Sequence, residues 1–304
     1  MSSGDMGRLE WALMLVLSFL WGASFFFYKV LAGEMGPFTV VLGRMGISAI
    51  VMNLILVSRG ERLPPLKRWG PYFIMAALNN VLPFALFAYS ERHITSGLAS
   101  IINAMTPIFT VLVAHWWTHN EKLSANKIAG VVCGLAGVSI LIGPSALGDI
   151  GGKNVLDELA CLAATISYGF AGVYARRFSG QPLIRIVTMQ MTAATIMAAP
   201  LAAFVEQPWM SPMPCLAAWS AVAGIAILST VLAFLIYFHI LAKAGATNIS
   251  LVTFLIPISG VLLGVAFLGE SVDVGAIAGM LVIGLGLAAI DGRPLQWLRR
   301  PSAA

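Results

Sequence analysis

GLASIINAMTP at residues 97–107 is repeated in outline as TNISLVTFLIP at residues 247–257, about 150 positions later. Each stretch leads through a short polar turn with a glutamate into a glycine-rich apolar segment. That segment is GVVCGLAGVSILIG (130–143) in the first copy and GMLVIGLGLAAIDG (279–292) in the second. Self-similarity at a fixed offset is the signature of a duplicated structural unit. The chain is therefore predicted to consist of two related halves.

The match between the halves extends upstream of these stretches, with small gaps. The aligned pairs are Trp21 with Tyr168, Lys29 with Arg176, Asn79 with Ser229, Asn80 with Thr230 and Phe87 with Tyr237. We predict a first unit over residues 1–147 and a second over 148–304, which includes a short basic C-terminal tail. In a chain this apolar, such a duplication is typical of transporters built from two structural repeats.

The composition indicates a membrane protein. Of 304 residues, 59% are hydrophobic and 10% are charged, whereas a soluble domain carries about 25% charged residues. Apolar runs of about 20 residues, long enough to cross a bilayer as helices, recur along the chain. We therefore predict an all-α integral membrane protein with ten transmembrane helices. These spans are 9–31, 37–58, 70–90, 95–117, 124–142, 155–177, 183–205, 216–242, 247–268 and 273–291.

The basic residues give the expected orientation. Most of the 18 Lys and Arg residues fall before the first span, after the last, or in the loops on the same side as these termini. Because cytoplasmic loops carry the excess of Lys and Arg, both termini are predicted to lie in the cytoplasm. Five spans per half then make the halves an inverted repeat, with the substrate site near mid-membrane between them. The net charge of +5 indicates inner loops that face anionic lipid, with no nucleic-acid partner.

A family resemblance rests on residues spread along the chain. They are Trp21, Gly22, Phe25, Arg44, Pro107, Pro257 and the turn Leu268-Gly269-Glu270. Together with ten spans in a five-plus-five repeat, they resemble the EamA-type branch of the drug/metabolite transporter superfamily over about residues 9–291. Within that branch, the chain is most similar to bacterial exporters of aromatic and other neutral amino acids. The resemblance implies multi-pass insertion in the bacterial cytoplasmic (inner) membrane and export by alternating access.

Polar side chains deep in the predicted spans are candidates for a substrate pathway, because a polar group in hydrocarbon is costly unless it faces protein or water. Amides donate and accept hydrogen bonds, so they could hold an amino group and a carboxylate alike. The same side chains could instead join helices or bond to a carbonyl of the preceding turn. The pathway candidates, polar and aromatic, are Trp21, Ser24, Phe25, Asn79, Asn80, Asn103, Thr106, Tyr168, Gln190 and Tyr237.

Trp21 and Tyr168 occupy matching positions midway along their spans, away from the interfacial belts where most membrane Trp and Tyr lie. Such a pair could form the wall of a central cavity and stack on an apolar or aromatic substrate. Phe25, one turn farther along the first span, would share that wall. Packing within the helical bundle is the alternative for both rings.

Arg44 is the charged residue that lies well inside a predicted span. An intramembrane charge is a functional candidate, so Arg44 is predicted either to bind substrate or to serve the structure. In the structural case it would reach outward or bond to a carbonyl. Pro83, Pro107 and Pro257 are candidate hinges, because a proline inside a helix removes a backbone hydrogen bond.

The acidic residues are predicted at span ends or in loops, with none buried at mid-depth. Proton antiport of cationic drugs generally uses a membrane-embedded carboxylate that exchanges a proton for the drug. We therefore expect facilitated export that is not strictly proton-coupled. The alternative is a proton-coupled multidrug or metabolite exporter of the same superfamily.

Other chemistry has no motif in the sequence. Paired buried aspartates, a His-Glu-x-x-His helix and a phosphate-binding loop are absent, so no enzyme activity, catalytic residue, metal site or cofactor is predicted. The expected partners are a small-molecule substrate and the lipid bilayer. Gly130-x-x-x-Gly134 and Gly275-x-x-x-Gly279 predict close helix packing, either within the chain or between copies. The chain is accordingly expected to be a monomer or a weak homodimer.

Overall fold

The computed structural model describes residues 7–61, 63–117, 125–142, 153–249 and 251–291. The predicted boundary between the halves and the basic C-terminal tail lie outside the described residues. Within them the chain forms helices and no strand, which confirms the all-α prediction at this level. The α-helices are α1 (Arg8–Leu31), α2 (Pro37–Ser58), α3 (Gly70–Ala76), α4 (Leu82–Ser90), α5 (Ser96–Asn103), α6 (Thr106–Trp117), α7 (Ala125–Ile142), α8 (Lys153–Tyr174), α9 (Leu183–Leu201), α10 (Leu216–Ala226), α11 (Ala233–Ile249), α12 (Val252–Leu268) and α13 (Val274–Asp291).

Seven helical segments of the described chain are long and apolar enough to cross a membrane. They are Arg8–Leu31, Pro37–Ser58, Gly70–Ser90, Ser96–Trp117, Val155–Phe178, Leu183–Glu206 and Leu216–Gly245. Three shorter apolar helices, Ala125–Ile140, Val252–Leu268 and Val274–Ile290, occupy the predicted spans 124–142, 247–268 and 273–291. Large apolar side chains also cover the outside of the bundle, among them Leu54 and Leu285, which are 65% and 66% exposed. A surface of this kind fits hydrocarbon and not water.

Helices α7 and α13 pack through the glycines that the two copies share. A Cβ atom on Gly130 would lie 2.5 Å from the Gly286 carbonyl oxygen, and one on Gly137 would lie 2.9 Å from that of Gly279. Since Gly130 faces Gly286 and Gly137 faces Gly279, the two helices run antiparallel. The glycines bring the backbones close within one chain, so the packing that the sequence predicted is intramolecular here.

The two copies differ in where their proline-containing helices break. In the first copy, α5 ends at Asn103 and α6 begins at Thr106, just before Pro107. In the second, Pro257 lies inside the continuous helix α12. The second copy is interrupted earlier, at Gly245, where φ is 80°. This conformation suits glycine, which has no Cβ.

Two π-turns occupy matching places in the halves. They are Ala77–Val81, which carries Asn79 and Asn80, and Ile227–Leu232. Pro83 explains the first in part, because it cannot donate an α-helical hydrogen bond to the Asn79 carbonyl. The second π-turn forms without a proline at that place, and the sequence did not predict either of them. Such bulges occur often at functional sites, since they change the direction in which side chains project.

Candidate functional site

Aromatic rings from both halves meet inside the bundle. The Trp21 ring on α1 lies 5.6 Å from the Tyr237 ring and 6.3 Å from the Phe234 ring, both on α11. All three side chains are only partly buried. Centroid separations of this size are typical of attractive aromatic pairs. The structure thus brings together two of the predicted pathway residues, Trp21 and Tyr237.

A second set of rings continues from the next turn of α1. The Phe25 ring lies 5.4 Å from Phe87 on α4, and Phe87 lies 6.3 Å from Tyr168 on α8, with the last two rings stacked. Trp21 and Tyr168 therefore do not form a direct ring pair. Tyr168 contacts Phe87, and Phe87 contacts Phe25, which lies one turn from Trp21 on α1. We call these residues, with Tyr237 and Phe234, the aromatic wall.

An amide pair also joins the halves. The Gln190 side chain on α9 donates a hydrogen bond from Nε2 to Asn80 Oδ1 on the first π-turn. The two side chains are 4% and 1% exposed. Asn79 lies beside Asn80 on the same turn and is partly buried. Each amide has more donors and acceptors than this one bond uses, so the pair can also serve polar groups of a ligand.

Arg44 is buried and does not reach outward. Its Nε donates to Thr230 Oγ1 at 2.9 Å and its Nη1 to the Tyr28 hydroxyl at 2.6 Å. The guanidinium carbon also lies 3.7 Å from the ring centroid of Phe84. We expected a structural Arg44 to reach solvent or to bond to a backbone carbonyl. In the structure it contacts two hydroxyl groups and the face of a ring instead. In the described part of the chain no carboxylate forms a salt bridge with Arg44.

The remaining pathway candidates, Ser24, Asn103 and Thr106, belong neither to the aromatic wall nor to the amide pair. Thr106 donates from Oγ1 to the Asn103 carbonyl at 2.8 Å, which is the local back-bonding alternative. The Asn103 side chain is partly buried nearby. Ser24 is 6% exposed and lies between Trp21 and Phe25 on α1.

Carboxylates from one half cap helices of the other at one end of the bundle. Glu206 accepts the Phe38 and Thr39 amides at the start of α2, at 2.8 and 2.7 Å. Glu270 accepts the Ser96 amide at 2.8 Å, at the start of α5. A carboxylate at a helix N-terminus satisfies free amides and complements the helix dipole. These capping residues define what we call the carboxylate end, and sequence reasoning had placed them only in loops or at span ends.

Acidic residues are also buried at the carboxylate end, which the sequence did not indicate. Glu91 is 0% exposed, and among the described residues neither of its carboxylate oxygens has a hydrogen-bond partner. Asp157 is 1% exposed and pairs with His93 Nδ1 at 3.0 Å. Both residues lie near helix ends, Glu91 directly after α4 and Asp157 near the start of α8. That no acid is buried at mid-depth stays a prediction. Sequence position gives depth along a span but not whether neighbouring helices cover the side chain.

The carboxyl group of Glu91 titrates abnormally. Burial raises its pKa well above the usual 4.5, Lys29 lowers it, and Glu270 raises it further. Lys29 does not pair with the carboxylate; its ammonium donates to the backbone carbonyls of Glu91 and Ile94 at 2.9 and 2.8 Å. A neutral carboxyl group is therefore favoured at this place.

The variant Glu91→Gln is expected to flatten the dependence of stability on pH. A raised folded-state pKa means that the folded protein holds a proton which the unfolded chain has lost. The wild type then loses free energy of unfolding as the pH rises from about 4.5 through the folded-state pKa, and the amide removes this loss. Melting temperatures of the purified protein between about pH 5 and about pH 8 test this. Glu34→Gln, at an exposed carboxylate, is the control; equal slopes in both variants and the wild type would contradict the prediction.

Comparisons with known proteins agree with this architecture. The EamA-like transporter family matches the chain twice, over residues 9–143 and 156–290. The uncharacterized transporter YoaV of Bacillus subtilis is 25% identical over 90% of this chain and 94% of its own length. The uncharacterized inner membrane transporter YedA of Escherichia coli is 23% identical over 86% of this chain and 83% of its own length.

A solved crystal structure has the same fold. The two chains align over 92% of this chain and 96% of the other, with a TM-score of 0.65 and 20% sequence identity. At that identity the likeness concerns the fold alone. The family matches cover both halves of the chain, and the long apolar helices suit a bilayer. This chain is therefore a membrane transporter that belongs to the EamA-like transporter family.

Proposed function

We propose that the chain exports amino acids, aromatic and other neutral ones, or similar small metabolites. The observation that carries the proposal is the buried guanidinium of Arg44, which within the described residues has hydroxyl partners but no carboxylate partner. A buried charge is stabilised by an opposite charge, and an amino acid offers one in its carboxylate. The aromatic wall would take the side chain, and the Asn80–Gln190 pair supplies polar groups between the halves.

We propose alternating access as the mechanism. The aromatic wall, the amide pair and the Arg44–Thr230 bond each join the two halves, so rocking of one half against the other would expose the site to either side in turn. The antiparallel glycine packing of α7 on α13 supports an inverted repeat of ten membrane-crossing helices. The excess of basic residues on one side supports cytoplasmic termini in the inner membrane. All these groups come from one chain, so a monomer suffices.

Energy coupling is the point on which two candidates differ. Facilitated export needs no titrating group, and in the described chain no acidic side chain forms an ion pair or a hydrogen bond with a residue of the aromatic wall. The alternative, a proton-coupled multidrug or metabolite exporter, is favoured by the burial of Glu91 without a partner. A carboxyl group of this kind can hold and release a proton during a transport cycle.

Uptake into proteoliposomes tests both candidates. Radiolabelled phenylalanine, methionine and threonine are expected to enter vesicles that hold the purified protein with no imposed ion gradient, and a pH gradient is expected not to accelerate entry. Protein-free vesicles are the control. Uptake that requires a pH gradient would establish the coupled alternative, and transport of cationic drugs alone would refute amino-acid export.

A further inference from the structure

A cavity of about 360 Å³ opens at the carboxylate end, away from the aromatic wall. It lies between the halves, with α5 on one side and α8, α12 and α13 on the others. Its volume falls within the range of small-molecule pockets. Its lining combines two kinds of surface: apolar side chains such as Leu98, Ile101 and Val261, and the three carboxylates of Glu158, Glu270 and Asp273.

The three carboxylates differ in their partners. Glu270 accepts hydrogen bonds from the Ser96 amide and hydroxyl and from the Gly97 amide. Asp273 accepts the Ala276 amide at the start of α13. Glu158 is 8% exposed, and in the described part of the chain neither a hydrogen bond nor an ion pair reaches its side chain. Since its carboxylate lines the cavity and has no partner there, it is available to accept a cation that enters.

The surroundings limit what that cation can be. The described residues that line the cavity include no Lys or Arg, and the imidazole of His93 already pairs with Asp157. Among the described residues no group of His, Cys, Asp and Glu side chains has the arrangement of a metal site. The apolar part of the lining instead suits an apolar body attached to the charge. An ammonium group offers three donors, and a hydrocarbon or aromatic body would fill the rest.

We propose that this cavity binds a primary organic amine with an apolar body, and that Glu158 accepts its ammonium group. The site is separate from the one at Arg44, which favours the opposite charge. This amine site goes beyond the proposed function. Binding at the site can be measured without transport, and it does not depend on whether the chain transports amino acids.

Calorimetric titration of the purified full-length protein in lipid nanodiscs tests the proposal. Phenethylamine is expected to bind and 3-phenylpropionate, of similar size and opposite charge, is expected not to bind. Glu158→Gln is expected to lower the affinity for phenethylamine by about tenfold to a hundredfold, which is the range for the loss of a hydrogen bond to a charged group. Glu61→Gln, which removes a carboxylate paired with Arg185 outside the cavity, is expected to leave the affinity unchanged.

Three outcomes would overturn the proposal. One is equal binding of the amine and the carboxylate, and another is wild-type affinity in a folded Glu158→Gln variant. The third is loss of amine binding in Trp21→Ala but not in Glu158→Gln, which would place the amine at the aromatic wall. If Glu158→Gln does not fold, Ala276→Leu decides, because it enlarges a side chain of the lining. Unchanged affinity in that variant would likewise refute the site.

Discussion

Trp21→Ala is expected to reduce phenylalanine transport by about tenfold or more while the protein still inserts into the membrane. The ring pairs with Tyr237 and Phe234 and is only partly buried, so its loss removes more substrate contact than core packing. An aromatic contact contributes about 0.5–1.5 kcal/mol beyond the area it buries, and about 1.4 kcal/mol corresponds to tenfold in binding. Uptake per amount of reconstituted protein is the measurement.

Trp219→Ala is the matched control for this variant. Trp219 lies on α10 and is 48% exposed on the outside of the bundle, where the same substitution removes no contact with the proposed site. It is expected to transport at the wild-type rate. A wild-type transport rate in Trp21→Ala at equal protein levels would show that the aromatic wall is not part of the transport pathway.

Gly286→Ala is expected to lower the melting temperature of the purified protein. Its Cβ would lie 2.7 Å from the Gly130 carbonyl oxygen and 2.9 Å from the Gly134 amide nitrogen. Both atoms are backbone, so helices α7 and α13 must move apart. Overpacking of this kind costs about 1–3 kcal/mol. Size-exclusion profiles and thermal melts in detergent measure the effect.

Gly284→Ala, two residues away on the same helix, should have the opposite sign. A Cβ at Gly284 meets nothing within 4 Å, and alanine favours a helix over glycine by up to about 1 kcal/mol. This variant is expected to melt at or above the wild-type temperature. Similar losses in both variants would mean that helix propensity, and not contact between α7 and α13, determines the result.

The helices were predictable because a membrane imposes a length and a composition on each span. Predicted span 37–58 coincides with α2, Pro37–Ser58, and span 70–90 with the segment Gly70–Ser90. The duplication was readable for a similar reason: the shared glycines keep their spacing since two backbones meet there. These features depend on order along the chain, which is what a sequence records.

The site was predictable as a set of residues but not as a set of contacts. Asn80 and Gln190 were both candidates, yet nothing in their positions indicated that they bond to each other. Depth in a span follows from sequence, whereas the side of the helix that meets a given neighbour follows from packing. Arg44 illustrates the same limit, because its partner Thr230 lies on a π-turn that has no sequence signature. For Glu91, burial depended on helices distant in the chain.

The glycine contact between α7 and α13 also bears on how the protein is made. Gly130 leaves the ribosome about 150 residues before Gly279. At roughly 5–20 residues per second, this interval lasts roughly 8 to 30 s. Throughout it, α7 carries a face of exposed backbone whose partner has not yet been synthesised. A nascent chain truncated before α13 would keep that face uncovered, and membrane quality-control proteases could recognise it as unfinished.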